Sequence, residues 1–320
     1  MKLFETKIQS EDIKKINKVM SSGELGFGSN VLLFEEKFKN FSLKQHNIAT
    51  NSASASAFMI FAYLKEKYGV CDVYTTSLGF TSPAWAAQHL GHNLYFVDIE
   101  DDLQFSSTDY KQKRTTSSTN QVVLMPVLYG GVSNLEHFSP LGDEIIVVDS
   151  AHCVTPTIKS DFIFFSFHPY KPICTSDGGM ISTDNKEAEE YFRSYRNFGR
   201  AAVKNSYTIT QNGFKFYMNN LNATIGLTQI DKYNENLNIR KINYTKLSKK
   251  FNLLNHDSNS SYYFATTLIE NAEDIINKTG IARHYPMLHK MPFYGSNNTL
   301  ENLEKKHKTI LNLPLYLEFK

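Results

Sequence analysis

Residues 144–171, EIIVVDSAHCVTPTIKSDFIFFSFHPYK, contain two short runs of branched aliphatic and aromatic residues, each followed by polar residues. The runs EIIVVD (144–149) and DFIFFSF (161–167) are apolar at successive positions and do not alternate, which is typical of strands buried on both faces. Such strands belong to parallel sheets that are covered by helices on both sides. These residues therefore predict an α/β sheet, with Asp149 at the end of one strand and Lys171 just beyond the end of another.

Similar apolar runs recur through the first two thirds of the chain. They are HNIAT (46–50), DVYTTSL (72–78), LYFVDI (94–99), QVVLMPV (121–127) and GMISTD (179–184). Helix-compatible segments lie between several of these runs, at 54–67, 84–90 and 133–141. Alternating strands and helices form βαβ units, which place the strands in a mostly parallel sheet. The pattern predicts an α/β domain with a sheet of seven strands.

The pattern changes after residue 184, where helical spacing replaces strand-like runs at 186–197, 219–233 and 238–251. A second region then contains the strand-like stretches SYYFATTLI (261–269) and ARHYPM (282–287). We therefore predict a large domain over residues 1–233 and a small, shortened α+β domain over residues 234–320.

Composition excludes several classes of protein. The chain has 320 residues, 41% of them hydrophobic, and a formal net charge of +2. General disorder is excluded by the apolar content, and nucleic-acid binding through bulk charge by the near-zero balance. Three cysteines without CxxC spacing argue against a disulfide framework or a zinc ribbon. No apolar run reaches the length of a membrane span, so we expect a soluble, cytoplasmic protein. The ten histidines show no HExxH or comparable ligand spacing, so we expect no metal site.

Three residues near the ends of strands carry the chemistry. Lys171 lies in SFHPYK, Asp149 ends the strand IIVVD, and His152 follows Asp149 at i+3. A lysine amine, a carboxylate and a histidine in one crevice suit pyridoxal phosphate, whose aldehyde bonds to the amine and whose ring nitrogen pairs with the carboxylate. The phosphate needs a helix N-terminus with small residues, which NSASASAF (51–58) supplies between a strand and a helix.

A series of motifs runs along almost the whole chain. They are SSGELGFGSNVLLFEEKF (21–38), NSASASA (51–57), FTSPAWAAQHLGHNLYFVDIED (80–101), VLYGGVSNLEHF (127–138), DSAH (149–152), SFHPYK (166–171), DGGMISTD (177–184), RNFGR (196–200), GFKFYMNNLNATIGLTQID (213–231), HYPMLH (284–289) and LNLPLY (311–316). These motifs resemble those of the DegT/DnrJ/StrS sugar aminotransferase family, and they occur in the order that the family has. The resemblance implies the fold of type I pyridoxal phosphate transferases, which is a three-layer αβα arrangement around a mostly parallel seven-stranded sheet.

The resemblance assigns roles to the three chemical residues. Lys171 would be the Schiff-base lysine and the carrier of the proton in the 1,3-shift. Asp149 would pair with the pyridinium nitrogen. His152 stands where the family has Gln or His near the O3′ oxygen of the cofactor.

Further residues would bind the cofactor. Phe80 would stack on the pyridine face, Ala53 and Ser54 would offer backbone N–H groups to the phosphate, and Ser166 would offer its hydroxyl. In this family an asparagine of a GxNYRM motif reaches the phosphate from the neighbouring subunit. The matching segment here is GFKFYM (213–218), so Lys215 would take that place in a homodimer.

The implied activity is amino transfer from L-glutamate to a nucleotide-linked keto-deoxysugar, in O-antigen or other surface-polysaccharide synthesis or in deoxysugar synthesis. Two alternatives stay open. A few family members are sugar dehydratases, but these carry a histidine in place of Lys171. The other is a degenerate member that binds pyridoxal phosphate or acts as a scaffold. It is favoured by Tyr217 in place of the family's arginine, by the altered phosphate loop and by the shortened C-terminal domain. The intact Asp149, His152 and Lys171 weigh more heavily against it.

Other motif interpretations are weaker. GELGFGS (23–29) contains GxG but follows a helix-like segment, whereas a dinucleotide-binding fingerprint follows a strand, so we do not expect a dinucleotide site. No GxSxG elbow supports a hydrolase. Trp85 is expected to pack in the core.

Overall fold

A computed structural model describes residues 4, 6, 8–114, 120–131, 138–155, 159–201, 207–281, 283–295 and 298–316. Its main sheet has seven strands: β1 (His46–Thr50), β2 (Cys71–Thr76), β3 (Asn93–Val97), β4 (Asn120–Pro126), β5 (Ile145–Asp149), β6 (Phe162–Ser166) and β7 (Gly179–Thr183). Their order across the sheet is β1-β7-β6-β5-β4-β2-β3. Strand β7 runs antiparallel to the other six, which are parallel to one another. The predicted seven-stranded, mostly parallel sheet is confirmed.

Helices cover both faces of this sheet. The helices are α1 (Ser10–Ser22), α2 (Ser29–Ser42), α3 (Ala53–Tyr68), α4 (Thr81–His89), α5 (Ser107–Lys113), α6 (Lys186–Tyr195), α7 (Asn220–Ser248), α8 (Ala272–Thr279) and α9 (Glu301–His307). One apolar core lies between the sheet, α2 and α7, and a second lies between the sheet, α3 and α6. The sequence of β4 is continuously apolar because both of its faces are buried. Val123 packs into the first core and Val122 into the second. The three-layer arrangement is thus confirmed.

The C-terminal part contains a separate two-stranded antiparallel sheet of β8 (Ala265–Leu268) and β9 (Ile310–Leu313). It packs on the main sheet through a third core, in which Leu303 and Phe264 meet Phe96 and Ile99. The described helices include none long and apolar enough to span a membrane.

Several predicted elements differ from the structure. The segments 219–233 and 238–251 form one continuous helix, α7, whose stretch between Asn234 and Leu237 is polar but has no proline or glycine to end it. The strand predicted at 282–287 is wrong in its described residues, which make only one isolated bridge, from Met287 to Leu78. Most of the helix predicted at 133–141 lies outside the described residues.

Trp85 is not in the core. Its side chain is 41% exposed on α4 and stacks on His89, with ring centroids 4.8 Å apart. The helix α4 is short, and its buried face is occupied by alanines, among them Ala86 and Ala87. The indole therefore lies on the outward side of the helix.

Candidate active site

A cavity of about 360 Å³ lies at one edge of the main sheet. Strands β1, β5 and β6 end at this edge, and the antiparallel strand β7 begins there, so that Gly179 pairs with both Thr50 and Ser166. Carboxyl ends of parallel strands are where open α/β sheets bind ligands. The cavity is lined by all the predicted site residues except Lys215, namely Ala53, Ser54, Phe80, Asp149, His152, Ser166 and Lys171.

Lys171 reaches the cavity from a tight turn that follows β6. Its backbone N–H donates to the carbonyl of His168 at 2.9 Å, which closes the turn. The ammonium lies over the ring of Tyr263, with Nζ 5.1 Å from the centroid. Burial lowers the pKa of Lys171 to about 8, against a smaller opposing effect from the negative charge of Asp149. An appreciable fraction of this amine is therefore neutral, and nucleophilic, near neutral pH.

Asp149 is buried at the end of β5. Burial raises its pKa to about 6, while a hydrogen bond and the charge of Lys171 act in the opposite direction. The hydrogen bond is donated by the Ala151 N–H to Oδ1 at 3.0 Å. No described residue donates to the other carboxylate oxygen, Oδ2, although the side chain lines the cavity. That oxygen is available to a donor on a bound molecule.

The N-terminus of α3 forms one wall of the cavity. The Ser52 hydroxyl caps the helix by accepting from the Ala55 N–H at 3.1 Å. Within the described chain the amides of Ala53 and Ser54 have no acceptor, and they lie at the positive end of the helix dipole. Strand β7 approaches this turn so closely that a Cβ on Gly179 would lie 2.5 Å from the Ser52 carbonyl carbon. Glycine is thus required there, and the two free amides could bind an anion.

His152 is held on several sides by its neighbours. Its Nδ1 accepts a hydrogen bond from the Tyr129 backbone N–H at 3.1 Å, and its Nε2 lies 2.6 Å from the hydroxyl of Tyr285. The ring of Tyr263 covers it, with centroids 4.3 Å apart. Burial lowers the pKa of His152 well below its ordinary value, with a smaller contribution from the charge of Lys171. The imidazole is therefore neutral.

The remaining predicted residues lie at different depths. Phe80 is 58% exposed, and its ring edge contacts Tyr285 with centroids 6.1 Å apart. Ser166 ends β6 with its hydroxyl in the cavity wall. Lys215 does not line the cavity, although its carbonyl accepts from the Asn51 side chain at 3.2 Å, beside the α3 turn. Its predicted role across a subunit boundary concerns a second chain and stays a prediction.

These residues fit the pyridoxal phosphate that the sequence motifs imply. A buried amine, a carboxylate oxygen without a donor and a pair of free amides at a helix N-terminus match its aldehyde, ring nitrogen and phosphate. The cavity volume is in the range of small-molecule sites. The described residues include no cluster of three or more His, Cys, Asp or Glu side chains that could hold a metal ion.

Two tyrosines of the cavity were not predicted from the sequence. Tyr263 precedes β8 and Tyr285 lies in HYPMLH, so both come from the C-terminal part of the chain. The motif HYPMLH was the available signal for Tyr285. The stretch SYYFATTLI reads as an ordinary strand and does not distinguish Tyr263.

Comparisons with known proteins find a matching family and several relatives. The model of the DegT/DnrJ/EryC1/StrS aminotransferase family matches residues 6–320. A Campylobacter jejuni protein, UDP-4-amino-4,6-dideoxy-N-acetyl-beta-L-altrosamine transaminase, is 26% identical over 307 residues, covering 92% of this chain and 77% of that protein. The Bacillus subtilis spore coat polysaccharide biosynthesis protein SpsC is 30% identical over 250 residues, covering 71% and 63%. The PLP form of the putative sugar aminotransferase Spr1654 from Streptococcus pneumoniae superposes with a TM-score of 0.87 at 22% identity, covering 100% and 94%.

Proposed function

The chain belongs to the DegT/DnrJ/EryC1/StrS aminotransferase family, and we propose that it uses pyridoxal phosphate to transfer an amino group from L-glutamate to a nucleotide-linked keto-deoxysugar. The related Campylobacter protein is named as a transaminase of a UDP-linked amino sugar, which supports this acceptor class. The name of the Bacillus protein, which refers to spore coat polysaccharide, supports a place in surface-polysaccharide synthesis. O-antigen synthesis belongs to the same proposal.

One observation carries the proposal: a lysine amine whose pKa is about 8 shares a cavity with a buried carboxylate and the free amides of a helix N-terminus. Burial of a lysine amine is unfavourable for the folded state, so a lysine that served only the fold would be expected at the surface with its charge in water. Amino transfer requires a neutral amine at this place, both to bond the cofactor and to move a proton.

The residues of the chain have separate roles in the proposed reaction. Pyridoxal phosphate, when bound, supplies an aldehyde and an electron-withdrawing ring that stabilises negative charge at the α-carbon of the donor. Lys171 Nζ, in its neutral form, would take the α-proton of the donor and later return it. Asp149 is ionised above pH about 6, so its free Oδ2 would accept a hydrogen bond from a protonated ring nitrogen. The amides of Ala53 and Ser54 would hold the phosphate.

A dehydratase is a poorer fit, because the site has Lys171 where the dehydratases of this family carry a histidine. A scaffold without catalysis is a poorer fit as well. The function of a scaffold would not require a carboxylate oxygen without a donor, a lysine with a lowered pKa and two backbone amides without acceptors around one cavity.

A homodimer, a cytoplasmic location and the division at residue 233 belong to the same proposal. Aromatic side chains near Lys215 are exposed, as expected of a surface that a second copy covers. Phe214, next to Lys215 in the chain, is 51% exposed, and Phe27, whose ring contacts Tyr217, is 45% exposed. Lys215 of that copy would supply a positive charge to the phosphate. The division at residue 233 falls inside α7, which would connect the two domains as one continuous helix.

A panel of nucleotide-linked keto-sugars tests the function. The purified protein with added cofactor is incubated with each sugar and L-glutamate, and 2-oxoglutarate is measured with a coupled dehydrogenase. We expect glutamate-dependent amination of at least one sugar, and none by the Lys171→Ala variant. Binding of the cofactor with no spectral response to glutamate would instead support the scaffold, and release of water from a sugar without glutamate would support the dehydratase.

A further inference from the structure

The hydrogen bonds of His152 identify its tautomer. A backbone N–H can only donate, so the bond from Tyr129 shows that Nδ1 carries a lone pair. The neutral ring must then carry its proton on Nε2. That proton is donated to the Tyr285 hydroxyl, whose oxygen lies 2.6 Å away.

The hydroxyl of Tyr285 is consequently an acceptor toward His152, and its own proton is left for another partner. Elsewhere in the described chain no acceptor lies within hydrogen-bond distance of this hydroxyl. The side chain lines the cavity together with Lys171 and Asp149. Its backbone is fixed independently, because the Tyr285 carbonyl lies 2.9 Å from Nε2 of His307.

Both nitrogens of His152 are thus used by protein groups, and one face of its ring is covered by Tyr263. A direct hydrogen bond from His152 to a cofactor oxygen would require breaking one of these contacts. A hydrogen bond donated by the Tyr285 hydroxyl would break none of these contacts.

From this arrangement we propose that Tyr285 is the hydrogen-bond donor to an oxygen atom of the molecule bound in the cavity, and that His152 acts through it as a positioning residue. The inference rests on the proposed function only for the identity of that molecule. The shared chemistry is an anionic or carbonyl oxygen, which is either the ring oxygen of pyridoxal phosphate or an oxygen of the amino donor or keto-sugar. His152 removes the freedom of the hydroxyl to rotate its proton toward the protein.

The Tyr285→Phe variant separates the two sources of the oxygen. Pyridoxal phosphate is titrated into the cofactor-free protein, and its affinity and absorbance maximum are measured; the loaded protein is then assayed with glutamate and the sugar panel. Weaker binding by roughly 10- to 100-fold with a displaced absorbance maximum assigns the hydrogen bond to the cofactor oxygen. Unchanged binding with a comparable fall in kcat/KM assigns it to a substrate oxygen.

Tyr244→Phe is the matched control. It removes one tyrosine hydroxyl that donates to the Leu254 carbonyl, outside the cavity, and should leave both measurements unchanged. A Tyr285→Phe protein that resembles wild type in both measurements would overturn the inference. If wild type itself fails to bind the cofactor or respond to glutamate, the proposed function fails first, so the two failures are distinguishable.

The role of His152 is tested by a double-mutant cycle and by its tautomer. His152→Leu should reduce the same measured quantity in the wild-type background but have little effect in the Tyr285→Phe background, whereas His152→Gln, which can accept and donate, should restore part of it. Additive effects would show that His152 acts independently and would overturn the positioning role. In ¹⁵N-histidine NMR of the wild-type protein, which avoids any folding defect of the variants, we expect the proton on Nε2; a proton on Nδ1 would contradict the assignment.

Discussion

Lys171 should bond to pyridoxal phosphate at a pH far below the pH at which an ordinary lysine does so. The neutral amine is the nucleophile, and burial lowers the pKa of Lys171 from 10.5 to about 8. At pH 7 its neutral fraction is therefore about 300 times that of an exposed lysine. The rate of cofactor attachment should rise about tenfold per pH unit up to pH about 8 and level off above it.

Asp149→Asn supplies the matched perturbation. Its negative charge raises the pKa of Lys171, so its removal should move the midpoint of the rate profile below pH 8. Stopped-flow absorbance after mixing the cofactor-free protein with pyridoxal phosphate measures the profile, and Nα-acetyl-lysine under the same conditions corrects for ionisation of the cofactor. A wild-type midpoint near pH 10, or an upward displacement in the Asn variant, would refute the reasoning.

Three further substitutions test parts of the site and its support. Gly179→Ala should weaken cofactor binding by at least about tenfold, measured by equilibrium titration, because its Cβ displaces the Ser52 backbone, whereas Gly26→Ala, with nothing within 4 Å of its Cβ, should not. Glu35→Gln should destabilise the fold by about 3–5 kcal/mol in urea unfolding, since it leaves the buried Arg196 without its carboxylate and Arg193 with Glu189 as its remaining partner. The exposed Glu36→Gln should change stability by under about 1 kcal/mol. Ser52→Ala should cost about 1 kcal/mol through loss of the α3 cap, and a thermal melt that matches wild type would contradict this.

The main sheet could be predicted because its strands are locally unambiguous. Runs such as EIIVVD are buried on both faces, and all seven predicted runs coincide with strands to within two residues at either end. The elements that were predicted wrongly or missed depend on contacts between residues distant in sequence. β9 was missed because LNLPLY contains a proline and pairs with β8 more than forty residues earlier. The stretch HYPM resembles a strand in composition, but its neighbours in space hold it as a loop around the cavity.

The predictable part of the site is the part that lies at the ends of strands. Asp149, Ser166 and the α3 turn meet because parallel strands end at one edge, so their positions follow from the fold. Tyr285 and Tyr263 come from the C-terminal part, and no local pattern places them beside His152. The hydrogen bonds that make His152 a donor to Tyr285 also need atomic positions. The motif supplies only the residue type.

The most direct test of the account identifies the lysine that bonds the cofactor. The protein is loaded with pyridoxal phosphate, reduced with borohydride to fix the bond, digested and analysed by mass spectrometry. We expect the pyridoxyl mass on the peptide that contains Lys171, and the loss of this modification after treatment of the loaded protein with L-glutamate before reduction. Attachment to a different lysine, or none at all, would contradict it.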